Sequence, residues 1–150
     1  MIAGVVTADL QAVVRLHIED GARQSQALDV IIDTGFSDFV SLPVALVTSL
    51  GLPSIYFDDV ELADGRIVQV GVHSAVIIWN GQARKVDVHA LGTHRLIGMR
   101  MLAAHDLQIR VRDGGAVSIR RRAGDNLPCQ FVAPTGNEFF GRNPFTRRGL

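Results

Sequence analysis

The residues with the most chemistry in them are Asp33, Thr34 and Gly35, within the stretch "ALDVIIDTGFSDFVSLP" at 27–43. Val30, Ile31 and Ile32 lead straight into an acid, and the run then breaks at a glycine. A carboxylate in apolar surroundings is costly unless it is paired, hydrogen-bonded or neutralised. Two readings follow: Asp33 closes a strand as an Asx-type turn, or it is a group held in place for acid/base chemistry. The triplet alone is short enough to arise by chance. Its context adds weight: an apolar strand before it, a glycine where a backbone must come close, and a matching "RLIG" at 95–98.

Other constellations point away from other chemistries. Histidines 17, 73, 89, 94 and 105 form no i, i+4 pair and no H-E-x-x-H, so no metal site is expected and each reads as a surface or hydrogen-bonded residue. "GFSDF" begins like a G-x-S-x-G nucleophile elbow, but Phe39 stands where the last glycine is needed. No G-x-G-x-x-G or Walker pattern is present, and no cofactor is expected. Asp29 reads as a solvent-facing strand residue. Arg120, Arg121 and Arg122, with Arg110 and Arg112, lack interleaved aromatics and read as a solvated strand end, so nucleic acid is not an expected partner.

The elements that must position Asp33 are legible as hairpins. Asp20-Gly21, Asp64-Gly65, Asn80-Gly81 and Asp113-Gly114 pair residues that tolerate positive φ, as tight primed turns require. Around them lie β-rich runs: "AVVRLHI", "RIVQVGV", "SAVIIW", "KVDVHAL", "LQIRV" and "AVSI". The pattern predicts an all-β domain. Two short helices are expected, in "LPVALVTSLG" and "MRMLAAHD". If "DVIID" is a strand, Asp29, Ile31 and Asp33 share one face and Val30 and Ile32 the other. A weak internal repeat of turn, apolar strand, glycine and short helix matches Gly21 to Gly81 and Gly35 to Gly98, and suggests two halves related by a pseudo-two-fold.

At 150 residues and 47% hydrophobic content the chain suits one globular domain, placed at 1–120. Residues 121–150, with Pro/Gly clusters and scattered Phe, read as a basic tail without a core of its own. Net charge is zero but uneven: residues 1–109 carry seven Lys/Arg and twelve Asp/Glu, and residues 110–150 eight Arg against three acids. Cys129 is the single cysteine, which excludes an internal disulfide. No apolar run is long enough for a membrane-spanning helix, and "MIAGVVTADL" has no basic leader; the expected location is cytoplasmic.

The ordered series "MIAGVV", "VIIDTGFSDFVSLP", "LGLP", "LADGR", Trp79 with Gly81, "HRLIGMRMLAAHDLQIRV" and "GGAVSI" resembles the retropepsin-like aspartic proteases, and their small prokaryotic members most of all. The resemblance covers roughly residues 1 to 120. It implies a barrel or sandwich of hairpins and an endopeptidase acting on a peptide or protein substrate without metal or cofactor. In such enzymes two carboxylates share one proton, since two like charges at that separation resist double ionisation. One activates a water and the other polarises the scissile carbonyl. One D-T-G supplies one carboxylate, so the resemblance demands a homodimer in which Asp33 of each copy meets on the axis. It further implies that Thr34 locks the two loops together and that Gly35 lets the substrate backbone approach. The tip at Asp64, Gly65 and Arg66 corresponds to a flap over the bound peptide. Retroviral members follow D-T-G with a small residue and two acids; here Phe36, Ser37 and Asp38 stand there as substrate-binding residues, and only Asp38 keeps the charge. Arg66 is expected to favour acidic substrate positions. The rival expectation is a non-catalytic dimeric scaffold or peptide-binding module of the same fold.

Overall fold

A computed structural model describes residues 1–124, and all structural statements below concern those residues. The fold is all-β. Ten strands are present: β1 (Ile2–Val6), β2 (Ala12–Glu19), β3 (Ser25–Ile32), β4 (Val40–Leu42), β5 (Ser54–Glu61), β6 (Ile67–Trp79), β7 (Gln82–Ala90), β8 (Leu96–Ile97), β9 (His105–Ile109) and β10 (Ala116–Arg121). Two short helices, α1 (Val44–Ser49) and α2 (Met99–Leu102), interrupt them. Beyond residue 124 lie Cys129 and nearly all of the expected tail, outside the described residues.

Alternation sets the core. In β2, Val14, Leu16 and Ile18 point inward, and in β3, Leu28, Val30 and Ile32 do the same. The antiparallel register sets Val14 opposite Val30 and Leu16 opposite Leu28, so both strands offer one apolar face. The strand order is β5-β6-β7-β4-β8-β3-β2-β1-β10-β9, and a further pairing of β6 with β2 closes the six strands from β6 to β2 into a ring. The barrel interior is this core; β5 extends one side and β1-β10-β9 form a wing on the other.

β6 serves two roles, and its burial pattern changes phase where they meet. Val70, Val72 and Ser74 are buried on one alternation, then Ala75, Ile77 and Trp79 on the other. The first half pairs with β5 as a projecting hairpin and the second joins β2 and β7 in the barrel. Three of the four expected turns use glycine at positive φ (Gly65, Gly81, Gly114), and Asn80 adopts positive φ beside Gly81. The β2–β3 turn differs: positive φ falls on Arg23, not Gly21. Gly21 is instead a point of close approach, its N–H donating to the Leu50 carbonyl at 2.8 Å, and any Cβ there would collide with the Gly51 carbonyl.

The internal repeat is present with a shifted alignment. β3 pairs in parallel with β8 of the second half, and β7 pairs in parallel with β4 of the first. β4 and β8 cross antiparallel between them. A helix follows each short strand, so Gly98, which caps α2, corresponds to Pro43, which caps α1. The sequence match of Gly35 to Gly98 therefore pairs residues with different roles. The helices are shorter than the sequence windows because Gly51 adopts positive φ after α1, and extended backbone at Ala103 ends α2.

Candidate functional site

Asp33 follows directly on β3, and its backbone is clamped from the second half of the chain. The Ile31 N–H donates to the Arg95 carbonyl at 2.8 Å and the Asp33 N–H to the Ile97 carbonyl at 2.9 Å. The loop from Asp33 to Phe39 is then held from one side by residues 98–100. Gly98 N–H donates to the Phe39 carbonyl (3.0 Å), Met99 N–H to Phe36 (2.8 Å) and Arg100 N–H to Asp38 (3.3 Å). Gly98 has no room for a side chain: a Cβ would strike the Asp38 and Phe36 carbonyls and the Phe36 ring. The loop that carries the candidate carboxylate is thus fixed by backbone hydrogen bonds to a second segment, a rigid mounting of the kind positional chemistry needs.

Within the loop, Asp33 Oδ1 accepts from the Gly35 N–H at 2.9 Å and the Asp33 carbonyl from the Phe36 N–H at 3.2 Å. This is an Asx-type turn. Asp33 is half-buried, while Thr34 and Gly35 are exposed at the apex. Phe36 and Asp38 are half-buried and Ser37 is exposed.

Asp38 opens onto a polar cluster that crosses three elements. His89, near the end of β7, is 2% exposed, and its Nε2 lies 3.2 Å from Asp58 Oδ2 and 3.8 Å from Asp38 Oδ2. The Phe36 ring packs edge-on against the imidazole, with centroids 6.0 Å apart. Arg100 Nη1 reaches Asp38 Oδ1 at 3.2 Å, and its guanidinium lies 5.5 Å from the Phe39 ring centroid. Tyr56 on β5 donates its hydroxyl to Asp87 Oδ2 on β7 at 2.8 Å. Burial first, then that hydrogen bond and the charges of Asp87, Asp58 and Asp38, push the Tyr56 phenol upward. Sequence reading places Asp38 in the site and gives His89 only as a surface or hydrogen-bonded residue; Asp58, Asp87, Tyr56 and Arg100 it does not single out. "KVDVHAL" does place Asp87 and His89 on the face opposite Val86 and Val88, but only tertiary pairing brings β5 beside them.

The hairpin tip is a self-contained turn. Leu62 N–H donates to the Arg66 carbonyl and Gly65 N–H to the Leu62 carbonyl. Arg66 Nε lies 2.6 Å from Asp64 Oδ2, so the tip presents an ion pair and not an unopposed positive charge. The backbone N–H and guanidinium of Arg66 hold the Asp64 carboxyl below the usual carboxylate range. The hairpin faces the Asp33 loop through its arm, where Asp58 bonds His89, while at the tip Arg66 bonds Asp64 and Gly65 bonds Leu62. Among the described residues, no group of three or more His, Cys, Asp or Glu is placed to hold a metal ion, and no helix is long and apolar enough to cross a membrane.

No family model matches the sequence, and no curated protein is similar to it by sequence. Among solved structures, the protease of EIAV in complex with the inhibitor HBY-793 is similar at 18% identity. The overlap covers 59% of this chain and 82% of that one, with a TM-score of 0.45. At that similarity the site has to be argued from its own atoms.

Proposed function

We propose that the protein is an aspartic-type endopeptidase of retropepsin-like fold, assembled as a homodimer whose two Asp33 carboxylates share one proton. The observation that carries this reading is the mounting of Asp33. A half-buried carboxylate stands at the end of a core strand, its loop clamped across the barrel by Ile97, Gly98 and Met99, with Thr34 and Gly35 left exposed beside it. An exposed apex on a rigid base suits contact with a second copy related by a two-fold axis. The motif series along the chain supports the same assignment.

In the proposed dimer the ionised Asp33 takes a proton from a bound water, which attacks the scissile carbonyl carbon. The protonated Asp33 of the other copy hydrogen-bonds the carbonyl oxygen and stabilises the charge that develops there. Thr34 joins the two loops across the axis. Gly35 leaves the substrate backbone room to approach, and the β5–β6 hairpin covers the bound peptide and limits water. Phe36, Ser37 and Asp38 line the substrate side chains' path.

One observation favours the second reading, a non-catalytic peptide-binding or scaffold dimer: Asp33 Oδ1 already has a structural task in accepting the Gly35 N–H. Asp33→Asn separates the two. An amide oxygen still accepts that N–H and so keeps the turn, but it cannot move the proton. The expected result is a folded protein with peptide cleavage reduced by about 10²- to 10⁴-fold. Undiminished cleavage by the variant overturns the Asp33 mechanism, and no cleavage by the wild type across pH 3 to 7 leaves the scaffold reading.

A further inference from the structure

We propose that His89 is a positioning residue that ties the arm of the β5–β6 hairpin to the Asp33 loop and so sets how firmly the hairpin is held over the site. The inference rests on the peptidase reading only for its kinetic consequence; the tie itself is a property of the fold.

Three observations carry it. His89 is nearly fully buried, yet its Nε2 points at two carboxylates from separate elements, Asp58 on β5 and Asp38 in the Asp33 loop. Carboxylates only accept, so Nε2 must carry the proton. That buried N–H donates to Asp58 of the hairpin at 3.2 Å and faces Asp38 of the loop at 3.8 Å, beyond hydrogen-bond reach, so the imidazole bonds the hairpin and lies against the loop. Second, Nδ1 is buried without a hydrogen-bond partner in the described structure. All of the imidazole's polar contact is directed at this junction, and the Phe36 ring of the Asp33 loop packs edge-on against it. Third, the junction is where β6 leaves the barrel: Val72 of β6 lies opposite His89, just ahead of the phase change at Ser74 and Ala75. Beyond that point the hairpin has only Val70 and Val72 buried outside the main core. A tie at its base thus bears on the whole projecting arm.

The charged neighbours complete the arrangement. Arg100 on α2 neutralises Asp38 from the side away from His89, while Asp87 accepts from Tyr56. Asp58 has His89 as its cross-element partner. Loss of the imidazole removes the donor that holds Asp58 and so releases β5 from the loop.

Hydrogen exchange of the full-length protein, followed by peptide, tests the tie without reference to activity. His89→Leu is expected to speed exchange over 54–61 and 67–73 by about tenfold or more, the loss of a hydrogen bond to a charged group, while β2 and β3 keep their protection. His89→Gln, whose amide N–H reaches the same carboxylate, is expected to restore most of it. Should His89→Leu not fold, Asp58→Ala on the partly exposed strand, which removes the acceptor, replaces it with the same expected local effect. Unchanged hairpin exchange in the folded variant, or equal effects of Leu and Gln, overturns the proposal. Where cleavage is measurable, His89→Leu is expected to raise KM several-fold with kcat within about twofold, and a fall confined to kcat contradicts the positioning role. Absence of cleavage in the wild type counts against the peptidase reading alone.

Discussion

At the scale of residues, two carboxylates that look alike in sequence have different settings. Asp33 is half-buried and mounted on backbone hydrogen bonds from both halves of the chain. Asp64 is an exposed turn residue paired with Arg66. Backbone N–H groups at Gln24 and the Arg15 guanidinium likewise hold Asp20 and Asp29 below the ordinary carboxylate range. The sign of the linkage follows. A carboxyl whose folded pKa is lowered stabilises the fold where it is ionised, so the contribution is complete above about pH 4 and is lost as pH falls through the lower folded values. Denaturant midpoints are therefore expected to hold between pH 7 and 5 and to fall between pH 4 and 2. Asp64 should titrate below an ordinary Asp by NMR, and Arg66→Ala should move that midpoint up; an unmoved midpoint removes the pair as the cause. The identity of Asp33 as the distinctive acid was legible from its apolar lead-in and its glycine. The partners of Asp38 were not, because His89 and Arg100 lie 51 and 62 positions away along the chain.

Among the elements, hairpins were the most legible feature. Each of the four Asn/Asp-Gly turns lies between antiparallel strands, because alternation and turn chemistry are both local. What remained hidden is non-local. The short strands β4 and β8 have no alternation long enough to read, and they form only because each finds the long strand of the opposite half. Gly98 is the residue on which that exchange closes. Gly98→Ala forces the Phe36 and Asp38 carbonyls to move and is expected to cost about 1–3 kcal/mol or more of unfolding free energy, as overpacking in a tight backbone contact does. Chemical denaturation measures it, and a change below about 0.5 kcal/mol would mean that the loop yields and is not rigidly mounted. The turn at Asp20-Gly21 shows the limit of dipeptide signals: its glycine answers a close approach by Gly51, not a dihedral requirement.

For the whole molecule, the barrel is complete in one chain and the proposed active site is not. The wing β1-β10-β9 sets β1 between β2 and β10, and among the described strands β9 ends the sheet on that side. Exposed Val5 and Leu10 add apolar surface to the same end of the chain. An all-β body was legible from composition and turns; the ring closure through β2 and β6 was not, since it depends on pairing strands far apart in sequence. The central claim is that catalysis needs Asp33 from both copies, and subunit mixing tests it most directly. Asp33→Asn protein is exchanged into a fixed amount of wild type, and the rate of peptide cleavage is followed. At equal amounts and random pairing, about half of the wild-type chains sit in mixed dimers with a single working carboxylate, so the rate should fall to about half and decline further with excess variant. A rate that stays constant as the variant is added, with exchange of subunits verified by mass spectrometry, would contradict the shared site.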